Sequence, residues 1–281
     1  MKECRIIALY SGSGGNSVYI RVADTAILID AGKSARRLCA ALKEIGSDIG
    51  MIRAIFVTHD HADHTSALEV LSKKNNIPIH ITEDSARVFD RFVCPELQRN
   101  LVRHTPIYSA EVGDITVSSF MTPHDSLMSV GYRIEFFDGE EKRAVGVATD
   151  IGYITDDIKE GLCGCEAVVI ESNHDEQMLM TGPYPQELKR RILSKRGHLS
   201  NKDCADLCAF LASGGTRAFL LAHLSEENNE PTLALEETRN ALCDECIGVC
   251  VADPQIPTEL KIPTKEEIEH DRSQIYNPWN A

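Results

Sequence analysis

The chain has 281 residues, of which 43% are hydrophobic and 26% charged, a composition typical of a soluble globular protein. Its 43 acidic residues against 29 lysines and arginines give a formal charge of −14, which excludes a generally basic nucleic-acid coat but not a local cationic or metal-centred site. No stretch approaches the roughly 18 apolar residues of a membrane span, and the apolar run at 6–9 is too short for a signal peptide. We therefore expect a cytoplasmic protein without a membrane partner, whose ten cysteines are reduced thiols.

Apolar strand-like runs alternate with helical patterns along the chain, which favours a layered α/β fold. Strands are predicted, in chain order, at 26–29, 54–58, 115–121, 130–137, 144–147, 167–170 and 218–221. A helix is predicted to end near Gly46, and three more to cover about 185–196, 201–213 and 231–242. Residues 1–263 are interpreted as a single domain, and 264–281 as a polar C-terminal tail whose end Trp279 would dock.

A cluster of metal-ligating residues directly follows the predicted strand at 54–58, where the sequence reads His59-Asp60-His61-Ala62-Asp63-His64. Neutral imidazoles and carboxylates are zinc-type ligands, and an irregular loop can point neighbouring side chains in different directions. Six residues cannot easily wrap four ligands around one ion. We therefore expect two ions, with His59 and His61 on one and Asp63 and His64 on the other. The simpler interpretation is a polar loop that happens to be rich in histidine.

Three further metal-capable residues, His124, Asp150 and His223, each come just after a predicted strand. Each can therefore lie on one rim of a sheet structure, where the missing ligands are needed. Taken singly, each has a simpler role, since an aspartate at a strand end is usually a turn residue and an isolated histidine usually lies on the surface or is satisfied in the core. Their agreement in position is a stronger signal than any one of them.

The pattern His-x-His-x-Asp-His, followed by a separate His, Asp and His after successive strands, resembles the metallo-β-lactamase superfamily. The resemblance covers about residues 6–262 and includes the glycine-rich turn at 11–17 and the stretch 28–32. It implies an αββα sandwich, with two mixed sheets packed face to face, helices outside and a dinuclear site at one edge. It also implies that one ion is held by His59, His61 and His124, the other by Asp63, His64 and His223, and that Asp150 bridges both.

Within the superfamily the chain is most similar to the bacterial WalJ/YycJ-type exonuclease branch. The stretches that carry this resemblance are 11–17, 58–65, 171–175, 197–201 and 222–225. The loop continues His64-Thr65-Ser66, which differs from the glycine pair of thiolester hydrolases such as glyoxalase II. The interval between Asp150 and His223 is too short for the large insert of RNA-processing β-CASP nucleases, and there is no long arm as in tRNA 3′-processing enzymes. These differences argue against an RNA-processing role.

Two bound cations would lower the pKa of a bridging water from 15.7 towards about 7 and so supply hydroxide at neutral pH. We expect Asp63 to orient this hydroxide with its second carboxylate oxygen. His198 is the candidate proton donor to the leaving oxygen, because the sequence around it resembles the Gly-His-Ala-Ser motif of related nucleases; the alternative is a loop histidine beside a helix cap. His174 is a second candidate for a phosphate contact. Asp30 is expected to hydrogen-bond a ligand imidazole, or else to be a plain turn aspartate.

One local feature favours a phosphate polymer as the substrate. Between Glu187 and Lys202 the chain carries six lysines and arginines and one acidic residue, and this stretch surrounds His198. Basic residues near a nuclease site would follow backbone phosphates, although a solvated basic helix face explains the pattern equally well. The cysteines at 163, 165, 243, 246 and 250 have only part of a zinc-site spacing, which favours inert thiols.

The leading hypothesis is a dinuclear metal-dependent phosphodiester hydrolase, a 5′→3′ exonuclease that acts on DNA. The DNA substrate and the polarity are implied by the branch resemblance alone. Two divalent ions per chain are expected, either zinc or manganese, with iron suited to the same ligands. The alternative enzyme hydrolyses a small ester, such as a cyclic phosphate, lactone or thiolester, on the same metal site. A metal- or partner-binding protein on a retired hydrolase fold is disfavoured by the full set of seven ligands.

Overall fold

The computed structural model describes residues 4–91, 94–242, 244–263 and Glu267. This part of the chain contains fourteen strands: β1 (Cys4–Tyr10), β2 (Ser17–Val22), β3 (Thr25–Ile29), β4 (Ile52–Phe56), β5 (Ile79–Thr82), β6 (Leu101–His104), β7 (Ser109–Val112), β8 (Ile115–Met121), β9 (Val130–Phe137), β10 (Lys142–Ala148), β11 (Ala167–Glu171), β12 (Ala218–Ala222), β13 (Gly248–Val251) and β14 (Thr258–Leu260). The strands predicted from the sequence are all present, with shifts of a few residues at their ends.

The strands form two seven-stranded mixed sheets. The first has the order β14-β1-β2-β3-β4-β5-β6 and the second the order β13-β12-β11-β10-β9-β8-β7. In each sheet one half is antiparallel and the other half is parallel, with β3 to β6 parallel in the first and β10 to β13 parallel in the second. Since β1 pairs with β14, Ile6 lies opposite Leu260 and the two ends of the described chain meet in one sheet.

Ten α-helices accompany these sheets in the described residues: α1 (Ala35–Glu44), α2 (Ala62–Thr65), α3 (Leu68–Lys74), α4 (Glu83–Ala86), α5 (Pro95–Asn100), α6 (Asp156–Leu162), α7 (Glu176–Thr181), α8 (Gln186–Ile192), α9 (Asn201–Ser213) and α10 (Pro231–Ala241). Short 3-10 turns span Ile49–Met51 and Arg87–Arg91. The predicted helix at 185–196 is shorter than expected and ends at Ile192. The chain turns back there, because the His198 amide donates to the Ile192 carbonyl at 3.0 Å.

Three apolar layers hold the sandwich together. The central strands bury both faces, so successive residues of one strand serve different layers. On β1, Ile6 packs between the two sheets, whereas Ile7 packs towards the outer helices. Leu38 of α1 covers the first sheet, and Leu207 of α9 covers the second. The αββα arrangement predicted from the sequence is therefore confirmed.

The longest helix in the described ranges, α9, has 13 residues, and none of these helices has the length and apolar character of a bilayer span. Seven cysteines in the same ranges are free thiols, namely Cys39, Cys94, Cys163, Cys165, Cys204, Cys208 and Cys250, and Cys243 lies outside these ranges. The predicted tail at 264–281, including Trp279, also lies outside the described residues, apart from Glu267.

Candidate metal centre

The predicted ligands meet at the edge where strands of both sheets end. His59 follows β4, Asp150 follows β10, and His223 comes directly after β12. Asp150 and His223 have positive φ angles of 58° and 57°, and Asp30, which follows β3, has 64°. These are three of the four non-glycine residues with positive φ in the described chain. Residues other than glycine rarely adopt this conformation. The presence of three such residues at one edge therefore points to a functional constraint.

The first group of ligands consists of His59, His61 and His124, whose donor atoms lie within 4.8 Å of one another. The Nδ1–H of His124 donates to the Gly197 carbonyl at 3.0 Å, so its Nε2 is the atom available to a metal. Burial lowers the pKa of His124, and burial together with neighbouring His64 lowers that of His59 well below its ordinary value. Both rings are therefore neutral at neutral pH, the form that binds metals.

The second group consists of Asp63, His64 and His223, again with donor atoms within 4.8 Å of one another. Asp150 lies between the groups: its Oδ1 is 3.5 Å from His124 Nε2, and its Oδ2 is 3.3 Å from His64 Nε2. All seven residues predicted as ligands are thus brought together, although their positions in the sequence run from 59 to 223.

The donor set suits divalent cations. His59 Nε2 and Asp150 Oδ2 are buried and have no hydrogen-bond partner in the described structure. Buried polar atoms are normally satisfied, because leaving one unpaired costs about 1–3 kcal/mol. Cations held by the two groups would satisfy both atoms. Five imidazoles and two carboxylates are ligands that zinc, manganese and iron all accept.

Protonation of the second group is set by its carboxylates. Burial disfavours the charged imidazole of His223, but Asp150, Asp63 and Glu171 outweigh it and raise its pKa to about 10. Burial opposes ionisation of Asp63, but the neighbouring imidazoles of His223 and His64 hold its pKa below the ordinary range. A ligating imidazole nitrogen must be deprotonated, so a cation bound by Asp63 would replace the proton that these groups share.

Asp30 supports this group from behind. Its Oδ2 accepts from His64 Nδ1–H and from the Thr58 hydroxyl, both at 2.8 Å, and its Oδ1 accepts from the Thr58 amide at 2.8 Å. These contacts leave His64 Nε2 directed at Asp63 and Asp150. The geometry is the one expected of an aspartate that orients a ligand imidazole, and it differs from that of a plain turn residue.

Glu171 is a site residue to which the sequence interpretation assigned no role. Its Oε1 accepts from Nδ1–H of both His198 and His223 at 2.8 Å, and its Oε2 accepts from the amides of Ile151 and Leu199 at 2.7 and 3.0 Å. Burial opposes its ionisation, but the neighbouring imidazoles outweigh burial and lower its pKa to about 2. Since all its acceptor sites are used, Glu171 orients the histidines rather than binding metal. The sequence feature that could have identified Glu171 is its position at the end of the strand β11.

His198 lies on the open side of the centre, and His174 does not. The His198 side chain is 18% exposed, and its ring centroid is 5.1 Å from that of His124 and 5.2 Å from that of His223.

His174 is only 1% exposed, its ring nitrogens have no described hydrogen-bond partner, and burial lowers its pKa to about 4. The ring is therefore not exposed to solvent in this structure, and the phosphate contact of His174 stays a prediction from the sequence. The backbone carbonyl of His174 accepts a hydrogen bond from the Asn201 amide at 2.9 Å, and this contact supports the loop that carries His198.

The turn at 11–16 also contributes contacts that the sequence interpretation missed. The Asn16 side-chain amide donates to Asp63 Oδ2 at 3.2 Å, and the Ser11 hydroxyl accepts from the His223 amide at 2.7 Å. The glycine-rich turn therefore braces two ligands of the second group.

Half of the basic stretch around His198 is engaged within the protein. The buried Lys189 ammonium donates to two carbonyls, Arg191 pairs with Asp125, and Arg196 donates to the His124 carbonyl at 3.1 Å. These arginines hold the loop that carries His124 against the loop that carries His198. Arg191 and Arg196 stay exposed despite these contacts, as do Arg190, Lys195 and Lys202, so five cations of the predicted patch face solvent.

Comparison with known proteins agrees with this geometry. A family model described as "Beta-lactamase superfamily domain" matches residues 25–224. The chain is 35% identical over 259 residues to the exodeoxyribonuclease YycJ of Bacillus anthracis, covering 92% of this chain and 96% of that protein. It is 33% identical over 247 residues to the exodeoxyribonuclease WalJ of Streptococcus pneumoniae, covering 86% and 90%. Among solved structures it resembles the metallo-β-lactamase fold protein YhfI from Bacillus subtilis, with a TM-score of 0.67, 15% identity and coverage of 91% and 98%.

The fold and the donor set together define a metal-dependent hydrolase. The chain belongs to the metallo-β-lactamase superfamily, in the branch that contains YycJ and WalJ. The family resemblance noted in the sequence is thereby confirmed.

Proposed function

We propose that the protein is an exodeoxyribonuclease that uses two divalent ions per chain and degrades DNA in the 5′→3′ direction. One observation carries this proposal: seven donor residues converge in two adjoining groups that share Asp150. The 35% identity to YycJ, which is named an exodeoxyribonuclease, supports DNA as the substrate class.

His59, His61 and His124 would hold one ion, and Asp63, His64 and His223 the other, with Asp150 between them. Ions at these positions would supply Lewis-acid chemistry, by lowering the pKa of water and by neutralising charge on the phosphate oxygens. Zinc and manganese both suit the ligands. A cytoplasmic location stays a prediction from the sequence.

Asp63 and His198 are the residues placed to act on water and on the leaving group. The Asp63 side chain is 25% exposed, compared with 2% for Asp150, so it faces the open side of the centre. Its ionised carboxylate can accept a hydrogen bond from the attacking water. His198 donates Nδ1–H to Glu171, which fixes the orientation of the ring and leaves Nε2 to give a proton to the leaving oxygen.

The experiment that tests the proposal combines metal analysis with DNA degradation. The purified protein should contain about two metal ions per chain by mass spectrometry. After chelation, restoring zinc or manganese should restore degradation of duplex DNA. A 5′-labelled strand should release labelled mononucleotide at once, while a 3′-labelled strand should shorten stepwise. Asp150→Asn should abolish activity, and Asp24→Asn, an exposed turn residue, serves as its matched control.

Hydrolysis of cyclic phosphates, lactones or thiolesters without degradation of DNA would overturn the proposed substrate in favour of a small ester. Immediate release from the 3′-labelled strand would reverse the polarity. A protein without bound metal, whose activity chelators do not change, would overturn the metal-dependent mechanism.

A further inference from the structure

An exposed aromatic side chain stands beside the metal centre. Tyr153 is 45% exposed and lies three residues after Asp150. The backbone between them is held firmly: the Ile151 amide donates to Glu171 Oε2 at 2.7 Å, and the Gly152 amide donates to the Pro123 carbonyl at 2.7 Å. Glu171 also accepts hydrogen bonds from His198 and His223. The same carboxylate therefore positions these histidines and the backbone that leads to Tyr153.

A lysine accompanies this tyrosine from a separate loop. Lys195 Nζ lies 5.6 Å from the centroid of the Tyr153 ring. The backbone of Gly152, which precedes Tyr153, is in direct contact with that of Lys195, because a Cβ atom on Gly152 would lie 2.3 Å from the Lys195 carbonyl oxygen. The next residue, Arg196, donates to the His124 carbonyl at 3.1 Å. The backbone segments that carry Tyr153 and Lys195 therefore both adjoin the loop that carries His124.

An exposed aromatic ring with an adjacent cation is the arrangement that proteins use to hold single-stranded nucleic acid. Bases stack on the ring irrespective of sequence, and the cation contacts the backbone phosphate. We propose that Tyr153 and Lys195 form a stacking subsite for an unpaired base next to the scissile phosphate. This inference rests on the proposed function and specifies its substrate as a DNA end whose terminal bases are unpaired.

The chain contains a matched control for this pair. Phe210 is also 45% exposed, and Lys159 Nζ lies 5.4 Å from its ring centroid. Phe210 is the tenth residue of α9, so it stands about 14 Å along the helix from the end that adjoins His198. It has the same chemistry as Tyr153 without the position beside the metal centre.

The test measures binding separately from catalysis. Fluorescence anisotropy of a labelled oligodeoxyadenylate, with chelator present, reports affinity without cleavage. Tyr153→Ala and Tyr153→Leu should weaken binding about tenfold, while Tyr153→Phe and Phe210→Ala should stay within about twofold of wild type. Lys195→Ala should weaken binding and lower the magnitude of the salt slope by about 1. Thermal unfolding of each variant verifies that it is folded.

An abasic oligonucleotide of the same length distinguishes stacking from other contacts. Tyr153→Ala should leave its affinity unchanged, whereas Lys195→Ala should weaken it. Equal losses on both oligonucleotides for Tyr153→Ala, or no loss on either, would overturn the subsite. Degradation of DNA by the wild type without any dependence on Tyr153 would overturn the subsite alone. Tyr153-dependent binding without degradation would support the subsite and overturn the proposed nuclease.

Discussion

Glu171 links the metal ligands to the candidate proton donor. It is fully buried, and it accepts hydrogen bonds from two imidazoles and two backbone amides. One carboxylate thus sets the ring orientation of both His198 and His223, together with the path of the chain after Asp150. A residue with this many buried acceptors cannot be replaced without leaving donors unpaired.

Glu171→Gln should weaken metal binding about 10–100-fold and lower kcat, because an amide donates where the carboxylate accepts. The measurement is metal affinity by competition with a chelator, alongside kcat on DNA. Glu166→Gln is the control, since Glu166 pairs with Arg143 and Arg217 near the opposite end of β11. It should change stability but not metal affinity. Unchanged metal binding in Glu171→Gln would show that the histidines need no carboxylate to orient them.

His198→Ala should reduce kcat on DNA by about 10²–10⁴-fold while the bound metal content stays the same, because the residue supplies a proton and no ligand atom. The loss should be much smaller on bis(p-nitrophenyl) phosphate, whose leaving group needs no proton. Metal content is measured on the same samples by mass spectrometry. If metal is lost in step with activity, His198 is a ligand or a structural residue instead.

Among the secondary-structure elements, the loops that follow the strands pack so closely on one another that there is no room for an additional side-chain atom. The Asn16 amide donates to the Asp63 carbonyl at 2.7 Å, and the Ala31 amide donates to the His64 carbonyl at 2.8 Å. Gly32 lies in the middle of this contact, where an added Cβ atom would be 1.6 Å from the Asp63 carbonyl oxygen. The turn after β3 therefore determines where the second group of ligands lies.

Gly32→Ala should lower the free energy of unfolding by about 3 kcal/mol and weaken metal binding, because the backbone of Asp63 must move to admit the methyl group. Gly248→Ala is the matched control, since an added Cβ atom meets nothing closer than 3.4 Å there. It should stay within about 0.5 kcal/mol of wild type. Urea unfolding of both variants provides the measurement, and similar values for the two would show that the Gly32 contact relaxes freely.

At the scale of the whole molecule, a series of rings connects the two sheets. His80 of β5 stacks on Phe56 at 4.5 Å between centroids, and its Nδ1 is 3.0 Å from His104 Nε2. His104 stacks on Tyr108 at 3.8 Å, and the Tyr108 hydroxyl is 3.0 Å from that of Tyr132 in β9. Charge on either imidazole would place a cation in this partly buried stack.

Burial and the neighbouring His104 lower the pKa of His80 from 6.5 to about 4. Between these values the unfolded chain binds more protons than the folded chain, so the contribution of His80 to stability is fully present above about pH 6.5 and is lost as the pH falls to about 4. His80→Phe, which keeps an aromatic ring, should reduce the slope of unfolding free energy against pH in this window. Urea unfolding with chelator present measures it, and an unchanged slope would assign the acid sensitivity to other groups.

The local sequence pattern determined the strands and the residues that make up the candidate metal centre. Strands buried on both faces, such as β3 and β12, are apolar throughout, and that pattern is visible without any knowledge of their partners. The candidate ligands stand out for a similar reason, because four of them lie within six positions shortly after β4 and the other three follow the ends of β8, β10 and β12. The fold class and the convergence of these seven residues could therefore be predicted, and their role as metal ligands stays a prediction.

How these residues support one another depends on contacts between distant parts of the chain. It placed Asp150 between the two groups, gave Glu171 its four donors, buried His174 and engaged Arg191 and Arg196 within the protein. These contacts join residues far apart in the chain: 73 positions separate His124 from Gly197, and 212 separate Ser11 from His223. Local spacing carries no information about such pairs, because their distance depends on the order in which strands pair and on the packing of one sheet against the other.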